Sequence, residues 1–427
     1  MVEFRQVPES RITEYEAILS HAFDIESGPG LDEEADHSGD GTDSDDWPPE
    51  LYEPWGLFDG NELVSVCKLY TPDAYLHDGY EEIGGLGGVA TPPEHRRQGY
   101  VRQLLRSSLQ TYREWDVDVV TLWPFSVPFY RNHGWGIANK YTTYELPPAQ
   151  LAFDRGAEGS VRRLDADDWE RLRSVEVAFG TGTALSLRRS KRWWRERTLS
   201  AWSGRGEPYV YGYERDGDLA GYVLYTVDRN AAGDRILRVT DLAHVDDDAY
   251  RGLLAFLGDH DSQVTTVELP RAAESELLDR VDQPGEVDCT VSVGPMVRLT
   301  DVRSALGEYP WPEGVAVRFS LEVTDELLER NHGVFDVEVA DGTASVTVID
   351  DAHAGGDVAS ATGSPEAGVE AGIDVGMDVS TLSRLYVGSL SLDAADRFGD
   401  CVICDTTVRD HLQDAFVTRP VCLREFF

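Results

Sequence analysis

The stretch Val89-Ala-Thr-Pro-Pro-Glu-His-Arg-Arg-Gln-Gly-Tyr-Val-Arg102 decides the fold of this chain. It has the pattern of a strand that runs into a turn and then into a helix. The start of such a helix presents free backbone N–H groups and the positive end of the helix dipole. Gly99 lets a ligand approach the backbone closely, and Arg96, Arg97 and Arg102 add positive charge. The stretch therefore predicts a pyrophosphate-binding loop, because cations at a helix start are otherwise unfavourable.

The segments around this loop alternate between helical and strand patterns. The sequence predicts, in order, a helix over Val2–Phe23, a hairpin over Trp55–Tyr70 that turns at Asp59-Gly60-Asn61, a strand over Ile83–Ala90, a helix over Arg97–Trp115, a buried strand over Val117–Trp123, a turn over Tyr130–Trp135 and a closing strand over Tyr141–Leu146. This order predicts a first α/β domain over residues 1–150. Within it, the acidic, glycine-rich residues 24–49 are expected to form a mobile loop, either a lid or a solvated insertion.

The composition is strongly acidic. The 427 residues include 78 Asp and Glu against 38 Lys and Arg, which gives a net charge of −40. The acids are spread along the whole chain, so we interpret them as halophilic surface adaptation rather than as a surface for basic partners. Molar salt would screen their mutual repulsion. The same negative field argues against nucleic acid as a partner.

Several other classes of protein are disfavoured. No apolar stretch approaches the roughly 18 residues of a membrane span, and the N-terminus lacks the apolar core of a signal peptide. We therefore expect a cytoplasmic protein with no membrane partner. The five cysteines are an odd number with no regular spacing, which argues against a disulfide scaffold. Cys401 and Cys404 form a C-x-x-C pair without a second pair, so we expect core packing there and no metal cofactor.

Two further regions follow the first domain. Residues 151–295 repeat its layout, with a helix over Asp167–Phe179 and a hairpin over Pro208–Val227, but without a second Arg-Arg-x-Gly turn. This pattern predicts a degenerate copy with a structural role. Residues 296–427 carry short strands and helical turns, which predict a third domain of α+β type.

The loop at Val89–Arg102 resembles the acetyl-CoA motif of the GNAT acetyltransferase superfamily, in which Gly or Ala is usual where Val101 stands. With this larger residue, the motif resembles that of the enhanced intracellular survival (Eis) type of acetyltransferase, which also has a larger residue at this position. Thr121-Leu-Trp123 followed by Tyr130-Arg-Asn-His-Gly-Trp-Gly136 resembles another Eis segment. The resemblance implies that Tyr130 is the general acid that protonates the CoA thiolate. A phenol suits this role, since its pKa of about 10 keeps it protonated at neutral pH. The alternative is a core tyrosine.

The chain ends at Arg424-Glu-Phe-Phe427, and Eis-type proteins similarly end in an aromatic residue. The resemblance implies that the terminal carboxylate of Phe427 lies in the active site as the general base. Two exposed phenylalanines would forfeit roughly 1.5–3 kcal/mol each of possible burial, which indicates an anchored end. A free α-carboxyl has a pKa of about 3.3–3.7, so as a base it must act in a desolvated pocket or through water. A purely structural plug is the alternative.

Other residues extend the resemblance over most of the chain. Met296-Val-Arg-Leu299, Val323-Thr-Asp325, Asn331-His-Gly333 and Asp378–Gly388 are similar to the sterol-carrier-protein-like domain of Eis proteins. The implied fold is thus two GNAT domains followed by a sterol-carrier-protein-like α+β domain. The residues implied to contact acetyl-CoA are Val89, Ala90, Thr91, Arg97, Gln98, Gly99, Tyr100, Val101, Arg102, Phe125 and Ser126. Gln98 departs from the family, which often has an arginine there.

The resulting hypothesis is an acetyl-CoA-dependent N-acetyltransferase that acts by direct transfer, without a covalent acyl-enzyme. An acidic protein favours a cationic amine acceptor, such as a polyamine, an aminoglycoside or a lysine. The resemblance also implies a homo-oligomer, with a hexamer as one form. The alternative is a non-catalytic scaffold that holds CoA or a lipid through the C-terminal domain.

Overall fold

The computed structural model describes residues 2–23, 51–153, 159–201, 206–273, 276–349 and 372–427. The loop expected over residues 24–49 lies outside the described residues. The strands are β1 (Val2–Gln6), β2 (Glu53–Asp59), β3 (Glu62–Tyr70), β4 (Asp73–Leu76), β5 (Gly79–Glu82), β6 (Gly84–Ala90), β7 (Val119–Leu122), β8 (Gly136–Ile137), β9 (Lys140–Leu146), β10 (Gly159–Arg163), β11 (Tyr209–Arg215), β12 (Asp218–Arg229), β13 (Arg235–His244), β14 (Thr266–Ala272), β15 (Asp288–Val293), β16 (Met296–Leu299), β17 (Val317–Thr324), β18 (Gly333–Ala340), β19 (Thr343–Ile349), β20 (Val375–Asp378) and β21 (Cys401–Ile403).

The helices connect and cover these strands. They are α1 (Ile12–Phe23), α2 (Tyr100–Glu114), α3 (Val127–Arg131), α4 (Trp169–Gly180), α5 (Lys191–Trp193), α6 (Asp247–Gly258), α7 (Leu277–Arg280), α8 (Val302–Glu308), α9 (Val379–Tyr386), α10 (Leu392–Phe398) and α11 (Thr406–Ala415). No helix in these ranges is both long and apolar enough to cross a membrane.

The strands form three large mixed sheets. The first has the order β1-β2-β3-β6-β7-β16-β8, the second β10-β11-β12-β13-β14-β9-β15, and the third β19-β18-β17-β20-β21. Helix α2 places Leu104, Leu105 and Leu109 in the core on one face of the first sheet. The predicted α/β architecture, with two similar domains and a third α+β domain, is confirmed.

The start of the chain differs from the predicted helix over Val2–Phe23. Residues Val2–Gln6 form strand β1, which pairs antiparallel with β2, and the helix begins only at Ile12. Val2 and Phe4 alternate with polar residues at the period of a strand, and the ring of Phe4 stacks on Trp55 at 5.0 Å between centroids. Packing on the hairpin therefore determines this segment.

The first two sheets exchange strands. The strand predicted to close the first domain, β9, lies instead in the second sheet between β14 and β15. In return β16, which we expected at the opening of the third domain, lies in the first sheet between β7 and β8. Tyr144 and Leu146 of β9 are buried in the second core, while Met296 of β16 is buried in the first. The exchange joins the two sheets through the backbone.

A buried ion pair joins the first sheet to the third domain. Arg298 of β16 pairs with Asp325 just after β17, and neither side chain is exposed. Arg298 also donates to the carbonyl of His133, and a Cβ added at Gly134 would collide with its guanidinium. Loss of one partner of a buried pair typically costs about 3–5 kcal/mol. This pair therefore fixes the third domain on the first.

The cysteines within the described residues are unpaired thiols. Cys401 is buried in the short strand β21, whereas Cys404 is exposed. Those ranges contain no group of three or more His, Cys, Asp or Glu side chains arranged to hold a metal ion.

We predict that Asp118→Asn stabilises the protein at high pH. Burial, together with the nearby Glu308, Asp301 and Glu81, raises the pKa of Asp118 to about 7, against the hydrogen bond from Ser304. Because the folded pKa lies above the unfolded one, folding binds an extra proton, and wild-type stability falls as pH rises from about 4 through 7. Denaturant unfolding should show the variant about 2 kcal/mol more stable at pH 8 and no more stable near pH 4.

The control is Asp116→Asn, which removes the same charge from an exposed position two residues away. This control should not gain the stability that Asp118→Asn gains at pH 8. An Asp118→Asn variant that is destabilised at pH 8 would contradict the assignment of a costly buried charge.

Candidate active site

A wedge-shaped opening between two parallel strands forms the centre of the candidate site. Strands β6 and β7 pair only at Gly84 with Val120 and at Gly85 with Thr121. Beyond this point β6 continues to Ala90, and none of the strands in the described ranges pairs with it on that side. Backbone groups along the open part can therefore bind an extended ligand as an added strand would. Val89, Ala90 and Thr91 lie at the far end of this edge.

The predicted phosphate loop follows directly. The backbone takes a left-handed φ of 61° at Arg97 and of 85° at Gly99, and α2 begins at Tyr100. Left-handed φ is costly for a residue with a Cβ, so such conformations cluster at functional sites. The loop presents the free N–H groups of the first turn of α2, and Gly99 caps the helix without a side chain. These features fit a diphosphate.

The polar side chains of this loop have their own contacts. Arg96 donates from Nε to the carbonyl of Thr91 at 3.0 Å, and Gln98 donates to the carbonyl of Glu94 at 3.1 Å. Arg102 donates to the carbonyl of Glu326 in the third domain at 2.7 Å, so it must leave this bond to reach a phosphate in the loop. Arg97 is exposed. Backbone amides and Arg97 are thus the groups best placed for an anion.

A cavity of about 700 Å³ adjoins the loop. It lies between α2 and the third domain, and its lining includes Gly99, Arg102, Arg106, Leu327 and His332. The volume is that of a pocket for a ligand of drug or nucleotide size. The third domain thereby borders the site that the first domain forms.

Tyr130 lies on the α2 side of the first sheet. Helix α3 begins after Ser126, and the Tyr130 ring is almost fully buried against Phe125, Phe129 and Trp135. Burial raises the pKa of the Tyr130 hydroxyl above its usual range. The hydroxyl therefore keeps its proton at any physiological pH and can donate it. Phe125 is the exposed member of this aromatic group.

The terminal residue lies on the other face of the same strands. A Cβ added at Gly87 would lie 2.6 Å from the carboxyl carbon of Phe427, and one added at Gly85 would lie 2.8 Å from its ring. Only glycine permits these approaches. The Phe427 ring packs on Tyr70 at 5.3 Å and on Trp193 at 6.3 Å between centroids. The chain end therefore lies against β6 where this strand leaves β7.

The residues before Phe427 are held in place by hydrogen bonds. Trp123, just after β7, donates from its indole N–H to the carbonyl of Glu425 at 2.6 Å. Asn139 accepts from the backbone N–H of Leu423 at 3.0 Å. The backbone N–H of Ala184 donates to the carbonyl of Pro420, and the carbonyl of Ala184 accepts from the backbone N–H of Cys422. Groups of both GNAT-like domains thus fix the tail.

The structure therefore places the tail and the loop along β6, and it places Phe427 and Tyr130 in the two cores on opposite faces of the sheet. Sequence reasoning missed Trp123, Asn139 and the acidic and basic residues of the second domain that bind the tail. It also missed Gly85 and Gly87. The run Ile83-Gly-Gly-Leu-Gly-Gly88 was the available signal, because glycine pairs within a strand mark close approach of another group.

Comparison with known proteins identifies the three domains. Residues 3–138 and 185–299 each match a family model described as an acetyltransferase (GNAT) domain, and residues 302–424 match a sterol carrier protein domain. An uncharacterized N-acetyltransferase of Streptomyces griseus is 24% identical over 297 residues, which cover 65% of this chain and 70% of that protein.

Two solved structures share the fold over the whole of this chain. A GCN5-related N-acetyltransferase from Anabaena variabilis is 19% identical with a TM-score of 0.79, covering 100% of both chains. Eis1 from Mycobacterium abscessus is 22% identical with a TM-score of 0.72, again covering 100% of both chains. The chain therefore contains two GNAT acetyltransferase domains followed by a sterol carrier protein domain.

Proposed function

We propose that this protein transfers the acetyl group of acetyl-CoA directly to a primary amine, with the carboxylate of Phe427 as general base and Tyr130 as general acid. The observation that carries the proposal is the contact of the Phe427 carboxyl group with Gly87, at the open edge of β6. A chain end held there with so many partners supports a chemical role for its carboxylate.

The residues of the wedge would bind and orient the co-substrate. Acetyl-CoA supplies the acetyl group and a thiolate leaving group. The backbone of Val89, Ala90 and Thr91 would bind the pantetheine arm, and the N–H groups of the turn at Arg97–Arg102 would bind the pyrophosphate. Phe125 and Ser126 stand at the start of α3 near Tyr130, where they would border the same arm.

The proposed reaction needs two proton transfers, one away from the amine and one to the sulfur. The Phe427 carboxylate accepts a proton from the attacking amine while the C–N bond forms. The C–S bond then breaks, and the Tyr130 hydroxyl donates its proton to sulfur. The raised pKa keeps the Tyr130 hydroxyl protonated before the transfer, but it also makes this hydroxyl a weaker acid than a free phenol. Proton exchange with solvent resets both groups.

The acceptor is proposed to be a cationic amine, because the strongly acidic surface attracts cations. Two cations near the tail, the buried Arg197 and the half-buried Lys68, bear on the choice of acceptor. The guanidinium of Arg197 lies over Trp193 at 4.7 Å from the ring centroid, and Lys68 lies over Tyr52 at 4.6 Å. Burial, with repulsion from Arg197, lowers the pKa of Lys68 to about 8. A panel of acceptors should therefore include amines that also carry a carboxylate.

We predict amine-dependent CoA release that depends on both proposed groups. Turnover is measured in molar KCl with polyamines, aminoglycosides, lysine peptides and amino acids, since the surface is proposed to be halophilic. Tyr130→Phe should lower kcat by about 100-fold, the typical contribution of a general acid. A one-glycine extension after Phe427 should lower kcat at least as far, because it moves the carboxylate away from Gly87.

Thermal melting checks that both variants fold, and titration checks that they bind acetyl-CoA. If no CoA is released with any amine although acetyl-CoA binds tightly, the acetyl-transfer proposal is wrong. That result would support the alternative of a non-catalytic scaffold that holds CoA. Wild-type turnover in the extended chain would remove the carboxylate from the mechanism and leave Tyr130 in place.

We also predict that Gly87→Ala lowers kcat by about tenfold or more while the protein still folds. The added Cβ would overlap the Phe427 carboxyl carbon, and a displacement of about 1 Å at a catalytic group has effects of this size. The matched control is Gly79→Ala in β5, where the nearest atom would lie at 4.0 Å. Equal turnover in Gly87→Ala and wild type would contradict the proposed position of the base.

A further inference from the structure

The second GNAT domain holds the tail through a buried ion cluster. Arg189 lies just before α5 and is buried. Its Nε and Nη2 atoms lie 2.8 and 2.7 Å from Oε1 of Glu425, two residues from the chain end. Its Nη1 lies 2.6 Å from Asp241 of β13, and its Nε lies 3.1 Å from Glu176 of α4. One guanidinium thus joins the tail to two elements of the second domain.

A second tail residue enters the same domain. Strands β13 and β14 run parallel and stop pairing after Arg238 with Glu268, although both continue. This opening corresponds to the wedge between β6 and β7 in the first domain. Arg424 reaches the open part of β13, where its Nη1 lies 2.6 Å from Oδ1 of Asp241 and 3.3 Å from the carbonyl of Leu242.

The tail therefore contacts the corresponding strand of both domains at a similar depth. The Phe427 carboxyl group lies at Gly87, two residues beyond the last pair of the first wedge, and Arg424 binds Asp241, three residues beyond the last pair of the second. In the first domain this stretch is the proposed co-substrate edge. In the second, the chain's own C-terminus uses the corresponding edge.

We propose that the second GNAT domain is a receptor for the C-terminus of its own chain, and that Arg189 is a positioning residue that sets the terminal carboxylate of Phe427 against Gly87. This inference rests on the proposed function, in which that carboxylate is the base. It assigns to the second domain a role in the reaction of the first, without a second catalytic site.

The charges of the cluster explain why the tail is held in one position. Burial opposes ionisation of Asp241, but Arg189 and Arg424 outweigh it and lower the pKa of Asp241 to about 2. Tyr222 of β12 also donates to Asp241 at 3.0 Å. Burial raises the pKa of Glu176 to about 7 against the attraction of Arg189, so Glu176 is the least compensated carboxylate. Asp241 and Glu425, at 2.6 and 2.7 Å, are the carboxylates that lie nearest to Arg189.

The cluster also defines the direction of the chain. A guanidinium presents its donors in a fixed plane, and both Nε and Nη2 of Arg189 converge on Oε1 of Glu425. Oε2 of Glu425 is buried without a hydrogen-bond partner among the described residues, while the backbone carbonyl of Glu425 accepts from the indole of Trp123. Phe427 follows only two residues later, so a displacement of Glu425 would also displace the terminal carboxylate.

The test compares Glu425→Ala with Glu425→Gln, which keeps an oxygen acceptor for Arg189. We expect kcat to fall by about tenfold or more in Glu425→Ala and by less in Glu425→Gln, with the KM for acetyl-CoA unchanged in both. The matched control is Glu214→Gln, which removes a glutamate bound to Arg171 at 2.6 Å in the same domain, away from the tail. It should leave kcat unchanged.

A second readout follows the tail itself. A carboxypeptidase that removes C-terminal aromatic residues is added to each folded variant at equal ionic strength, and loss of Phe427 is followed by mass spectrometry. We expect Glu425→Ala to lose Phe427 about tenfold or more faster than wild type and the Glu214→Gln control. Should Glu425→Ala fail to fold, Glu425→Gln gives the same comparison with a smaller ratio.

The two readouts separate the possible failures. Unchanged release of Phe427 together with unchanged kcat in both Glu425 variants would overturn the receptor role of the second domain. So would a loss of kcat with Phe427 still protected, because Glu425 would then act without moving the tail. Faster release without any loss of kcat would support tail capture but refute Arg189 as a positioning residue. Absence of turnover in wild type would refute the proposed function, and the release rates would still decide whether the second domain holds the tail.

Discussion

The approach of the Phe427 carboxyl group to Gly87 is the constraint on which the rest of the structure depends. The contact places the last residue of the chain within van der Waals distance of a strand in the first domain, and a side chain at Gly87 would prevent it. All three domains must be folded and correctly placed before this contact can form. The proposed site is therefore a property of the whole chain, although the proposed cofactor loop and the proposed general acid lie within its first third.

Two kinds of interaction hold the domains in this arrangement. The exchange of β9 and β16 between the first two sheets links them through backbone hydrogen bonds, and the buried pair of Arg298 with Asp325 fixes the third domain. The cluster around Arg189 then fixes the tail. The Asp325 pair and the tail cluster both use arginine, whose guanidinium keeps its charge when buried and satisfies several acceptors at once. In a chain with a net charge of −40, these few buried cations are concentrated where separate parts of the fold meet.

Local features of the fold were predictable from the sequence, and non-local ones were not. The turn at Arg97–Gly99, the helix after it and the repeat of the layout in the second domain follow from short-range patterns. The exchange of β9 and β16 does not, because the alternation of Tyr144 and Leu146 shows that a strand buries one face but not against which sheet. The resemblance of the last residues predicted that Phe427 lies in the active site, and its carboxyl group lies against Gly87. Nothing in the sequence paired Glu425 with Arg189, which lies more than 200 residues earlier.

The most direct test of the account replaces one atom of the terminal carboxylate. Cys422 permits chemical ligation of a synthetic peptide over residues 422–427 to residues 1–421 without a change of sequence. The peptide is made with either a C-terminal acid or a C-terminal amide, and both products are refolded and assayed with acetyl-CoA and the best acceptor. The account predicts that the amide binds acetyl-CoA as tightly as the acid but turns over about 100-fold more slowly. Equal turnover of the two products would contradict the claim that the chain's own end is the base.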